Sequence, residues 1–172
     1  MAGYDDEGLQ NFVAGRYREL RRSAFLMCGD WGQAEEVTQA ALARFVNEGA
    51  RGAIEDPDVY VYAEVMAAFQ HKAPRREHVF VASPDAEPTG DADPIRAILV
   101  LDALHKLSPR CRAVIVLRQW GSFTVEETAD ILDLPDDRVE AYEAAGLDAL
   151  NDLLPTEAAL NAPLPTEAAV SA

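Results

Sequence analysis

Basic residues are the scarce ingredient of this chain: 15 Lys and Arg stand against 30 Asp and Glu in 172 residues, a formal net charge of −15. That balance argues against general affinity for nucleic acid or for an anionic membrane surface. There is no apolar run of about 18 residues to span a bilayer. The opening MAGYDDEG lacks the basic and then apolar regions of a signal peptide. Two cysteines, Cys28 and Cys111, lie far apart and suit reduced core positions in a cytoplasmic protein better than a disulfide framework. His71, His78 and His105 have no ligand spacing with either cysteine, so no metal site is expected. A Gly-rich phosphate loop and a nucleophile motif are both missing. The acid pairs Glu35–Glu36 and Asp136–Asp137 fall at solvated helix starts. The expectation is a protein that is not an enzyme, with no cofactor and no small-molecule substrate.

What the chain does have is helical periodicity, and the fold class it predicts is all-α. Leu9, Phe12, Val13, Tyr17, Leu20, Ala24, Phe25 and Met27 recur at helical spacing, with Arg16, Arg18, Arg21 and Arg22 mostly on the other side. Gly29-Asp30 reads as a helix stop followed by the next start. A second helix runs through Ala34, Val37, Ala41, Leu42, Phe45 and Val46, and ends near Gly49. Asp56-Pro57-Asp58 opens a third over 59–72, and Pro74 stops it. Residues 79–81 are a brief β-prone run. Residues 83–94 hold three prolines, a glycine and four acids with no large apolar residue, a linker composition. Beyond it, Ile98, Leu99, Leu101, Leu104 and Leu107 supply one stripe, and Ser108-Pro109 starts a helix running to Trp120. The organisation predicted is a helical domain over 1–76, an acidic Pro-rich linker over 77–94, a second helical domain over 95–154 and an Ala- and Pro-rich tail over 155–172. The tail repeats the unit LPTEAA. It reads as a flexible extension, or as a segment that docks through Leu160, Leu164 and Val170.

The most informative stretch is 124–154, which reads as a helix-turn-helix. Thr124 followed by Glu127 is a capping box. Val125, Ala129, Ile131, Leu132 and Leu134 form the apolar set of the first helix, and Pro135 supplies a fixed φ at the turn. Val139, Gly146, Leu147, Leu150 and Leu154 line one face of the second. The layout suits a DNA reader, yet ten carboxylates in this stretch face a single base, Arg138. DNA binding draws most of its sequence-independent affinity from Lys and Arg that neutralise phosphates, and that footprint is absent. The carboxylates read either as a solvated helix surface or as a surface for a protein partner.

The order of elements resembles an extracytoplasmic-function sigma factor of the sigma-70 family, especially the small, actinobacterial sigma-E-like members. Cys28-Gly29-Asp30, Ala34-Glu35-Glu36-Val37, Gln39, Leu42 and Phe45 resemble the region 2 signature. Asp56-Pro57-Asp58-Val59-Tyr60-Val61 resembles the start of that region's last helix. Leu107-Ser108-Pro109-Arg110-Cys111-Arg112-Ala113-Val114, then Thr124-Val125-Glu126-Glu127-Thr128-Ala129, resemble region 4. The resemblance implies a region 2-like domain joined to a region 4-like helix-turn-helix. It also implies that Asp30, Glu35, Glu36, Gln39 and Leu42 stand where the family meets the clamp-helix coiled coil of RNA polymerase core. In the reading helix the correspondence fails: Glu140 and Tyr142 replace basic residues, Ala141 replaces a small hydroxyl, Ala145 replaces a further base, and Arg138 alone is cationic. Residues 62–72, aligned with the helix that captures melted promoter DNA, have lost basic and Asn-like residues. There Tyr60, Tyr62 and Phe69 read as core aromatics or as base-stacking platforms.

The first expectation is therefore a sigma-like regulator acting through polymerase core or another transcription protein, with weak or absent DNA binding and no membrane contact. The alternatives are a working sigma factor with atypical contacts through Arg16–Arg22 and Arg75–Arg76, and an acidic DNA-mimicking interaction module.

Overall fold

A computed structural model describes residues 6–50, 52, 54–70 and 94–154, and among them all regular structure is helical. The 79–81 run, the tail, the linker apart from Pro94, and the bases Arg75 and Arg76 lie outside the described residues. Helix α1 (Asp6–Cys28) stops where Gly29 takes φ 74°, a conformation that costs a glycine little. The next residue, Asp30, is the N-cap of α2 (Trp31–Gly49), its carboxylate accepting from the Gln33 N–H at 2.6 Å. Asp56 plays the same part for α3 (Pro57–Gln70), accepting from the Val59 N–H at 3.1 Å. Proline at the first helical position needs no hydrogen bond there.

These three helices pack mutually. Leu20, Phe25, Leu26, Phe45, Val61 and Met66 are fully enclosed between them, each contributing roughly 1.5–3 kcal/mol of burial. Phe25 stacks on Trp31 with ring centroids 3.8 Å apart and planes 4° from parallel. The arginine face of α1 is partly engaged: Arg16 Nε meets Asp58 at 2.7 Å and Arg21 lies 5.0 Å over the Trp31 ring.

The second group begins with α4 (Pro94–Lys106). Here Leu101 and Leu104 are buried as expected, joined by Val100, whereas Leu99 is 44% exposed. At 100° per residue Leu99 sits about 160° from Leu101 around the axis, so the two share no face. Val46 of α2 is likewise on the outer surface. Helix α5 (Pro109–Ile115) starts at Ser108, whose hydroxyl accepts from the Cys111 N–H at 3.3 Å. It passes directly into a π-helical turn, Val116–Trp120, closed by the Gly121 N–H on the Val116 carbonyl at 3.0 Å. The sequence predicts a plain helix to Trp120; the wider turn inserts one extra residue before the chain leaves. Helices α6 (Val125–Leu132) and α7 (Asp136–Leu153) complete the group.

The two groups do not stand apart. α3 packs on α6 and α5, and α1 packs on α4, α5 and the π-helical turn, giving one continuous apolar core. Tyr62 is 4% exposed and meets Phe123 edge-on at 4.7 Å. With Phe69 also buried, two of the three aromatics of α3 are core residues in this arrangement.

Candidate nucleic-acid interface and partner face

The helix-turn-helix is built as its sequence dictates. The Thr124 hydroxyl accepts from the Glu127 N–H at 3.1 Å while the Glu127 carboxylate accepts from the Thr124 N–H at 2.7 Å, closing the capping box. Asp133 ends α6 in the left-handed region at φ 51°, a place an Asp tolerates better than most residues. Pro135, at φ −66° and ψ 149°, then sets the entry to α7. Asp136 and Asp137 occupy the first turn, where the helix dipole favours negative charge.

Helix α7 is seated by Val139, Gly146 and Leu150, all buried. Gly146 is the point of closest approach: a Cβ there would lie 2.6 Å from Ile115 Cγ1 and 3.0 Å from Cys111 Sγ. The Cys111 thiol donates to the Tyr142 carbonyl at 3.3 Å. Glu143 is taken up internally, accepting from Arg118 Nε at 3.0 Å and Gln119 Nε2 at 3.2 Å. The outward face is left to Asp136, Asp137, Arg138, Glu140, Ala141 and Ala145, then Asp148 and Asp152. Arg138 is the one cation of this helix, and its guanidinium lies 6.0 Å from the centroid of the half-buried Tyr142 ring. Of the positions that the resemblance aligns with a reading helix, Arg138, Glu140, Ala141 and Ala145 are exposed and Tyr142 is half-buried.

The other candidate face lies on α2. Asp30 is exposed but committed to its cap. Glu35 is half-buried, accepting from the Tyr17 hydroxyl at 3.3 Å and from Gln39 Nε2 at 3.1 Å, with Arg21 at 3.5 Å. Glu36 and Gln39 are fully on the surface. Leu42, 5% exposed, packs inward, so the apolar element of that outer face is Val46 instead. Residues of the two candidate sites sit on different helices.

Arg112, one letter of the region 4-like motif, is a buried cation. It is 3% exposed and has no carboxylate in its hydrogen-bond set. Its guanidinium donates to the carbonyls of Leu104 (2.9 Å), His105 (3.1 Å), Leu107 (3.2 Å) and Met27 (2.7 Å). One cation therefore satisfies carbonyls at the C-terminal ends of α4 and α1, where the helix dipoles favour positive charge. Burial lowers its pKa from the usual guanidinium value. The available signal was its place in the otherwise apolar run from Cys111 to Leu117.

Comparison with known proteins agrees with this architecture. Residues 103–152 match Sigma-70, region 4, the class of helix-turn-helix module that α4–α7 form. The chain is also 32% identical over 132 residues to the RNA polymerase sigma-E factor of Streptomyces coelicolor, an alignment covering 73% of each. The protein belongs to the extracytoplasmic-function sigma factor family, of the sigma-E-like actinobacterial type. Among solved structures, the co-crystal structure of anti-anti-sigma factor PhyR complexed with anti-sigma factor NepR from Bartonella quintana is similar in fold. Its TM-score is 0.55 and its identity 17%, over 81% of this chain and 48% of that one. The chain thus spans about half the length of that structural relative, and at this identity the likeness concerns the fold alone.

Proposed function

We propose that this sigma-factor-like transcription regulator works through protein contacts, on RNA polymerase core or another transcription protein, with promoter reading weakened or lost. The observation that carries the reading is the outer face of α7, where Arg138 is outnumbered by exposed Asp136, Asp137, Glu140, Asp148 and Asp152. A duplex repels such a face, because each phosphate contact needs a cation to displace a counterion. The same face is complementary to a basic protein surface. On α2, Glu36 and Gln39 remain presented at the positions the family resemblance assigns to polymerase core.

A second reading, a sigma factor that still directs initiation, is favoured by the 32% identity to a sigma-E factor over most of both chains. Capture on immobilised polymerase core, followed by run-off transcription, distinguishes the two. The proposal expects retention on core, weakened by Glu36→Lys with Gln39→Lys, and no transcript from a cognate promoter. A promoter-dependent transcript would decide for the second reading; failure to bind core with transcription proteins still captured would move the contact to another partner.

A further inference from the structure

Among the described residues, three large apolar side chains stand exposed: Val46 on α2, Leu99 on α4 and Leu153 at the end of α7. The last two belong to one group, in which α4 packs on α7. On α4, Leu99 follows the half-buried Ile98. Further along the same face stand Asp102 and Lys106, which pair with each other at 2.7 Å. On α7, Leu153 precedes Leu154, whose side chain is buried and whose N–H donates to the Leu150 carbonyl at 2.8 Å. The chain therefore leaves α7 from a fixed point beside an exposed leucine. The sequence that follows, 155–172, holds two charged residues, Glu157 and Glu167, among 18, against 26% charged for the whole chain. Its large apolar residues are Leu160, Leu164 and Val170. From Leu154, Leu160 is six residues on and Leu164 ten, distances of up to about 20 and 35 Å when fully extended. The 13 residues of α4 make a helix about 20 Å long, so both exposed leucines lie within reach.

We propose that residues 155–172 fold back and dock on this face, with Leu160 and Leu164 set against Leu153 and Leu99. The tether is what makes so small a contact sufficient. A short flexible connection holds its segment at an effective concentration on the order of millimolar, where two leucines that would not retain a free peptide are enough. A second copy of the chain lacks that advantage, and two molecules of net charge −15 repel each other. The docked segment is a built-in competitor: a protein partner that needs Leu99 or Leu153 has to displace it. The inference is independent of whether α7 reads promoter DNA.

The test is made on the full chain in solution, by backbone nitrogen order parameters for the non-proline residues of 156–170 at two protein concentrations. Docking predicts values of about 0.85 around Leu160 and Leu164, the range of rigid backbone, equal at both concentrations. Leu99→Asp and, separately, Leu160→Asp with Leu164→Asp should bring them below about 0.6, with helix content by circular dichroism unchanged. Val46→Asp, in the other helical group, should leave them as in the parent. Values below about 0.6 in the parent would overturn the proposal. So would ordering that survives Leu99→Asp or that Val46→Asp removes, because the segment would then rest elsewhere. Ordering that grows with protein concentration would overturn it in favour of a second copy.

Discussion

Single residues show how burial decides chemistry here. Cys28 carries a thiol that burial pushes up to about 12, even though Arg112 nearby favours the thiolate. Burial raises Cys111 as well. Because the folded value lies above the unfolded one of about 8.5, the native state holds its proton where the unfolded chain has lost it. The stability tied to the neutral Cys28 thiol is complete below about pH 8.5 and falls as pH rises from there towards 12. Alkylation by iodoacetamide at pH 9 should therefore run at least about tenfold slower in the native protein than in urea. Cys28→Ala should flatten the decline of stability above that pH. Equal rates in the two states would show the thiol to be open to solvent. Arg112 makes the converse point: its place in an apolar run marks it as unusual, but its partners are backbone carbonyls at the ends of α4 and α1, which only the fold brings together.

At the scale of elements, the sequence was most legible where local chemistry closes on itself. The capping box of Thr124 and Glu127, the Asp30 cap after a left-handed Gly29 and the proline at the start of α5 need only residues within a turn of one another. Legibility failed where a nonlocal contact sets the geometry. The π-helical turn at Val116–Trp120 leaves no trace in apolar spacing, and the exposure of Leu99 follows from its azimuth on α4 and not from its apolar neighbours. The outer face of α7 was readable residue by residue, since Glu140, Ala141 and Ala145 stand exposed. Its opposite face depends on a contact across α5. Replacing Gly146 by Ala should gain up to about 1 kcal/mol of helix propensity. It should lose about 1–3 kcal/mol to overpacking, because the Ile115 side chain it strikes is fully buried. Net destabilisation in urea unfolding is expected; a more stable variant would mean that α5 and α7 separate easily.

For the molecule as a whole, the proposed function rests on a net charge of −15 and on the exposed carboxylates of α7, both of which favour a basic protein surface over a duplex. The packing of the two helical groups was not foreseeable, because the acidic segment between them says how far they can part and nothing about whether they do. No helix among the described residues is long and apolar enough to cross a membrane. The claim that promoter reading is weakened is tested most directly by fluorescence-anisotropy titration of a cognate −35 duplex at low salt. Wild type is compared with a variant in which Glu140→Lys and Ala145→Arg restore cations to the exposed face. The account predicts no binding by wild type and measurable binding by the variant, with an affinity that falls as salt is raised. Wild-type binding at low salt that Arg138→Ala abolishes would contradict it.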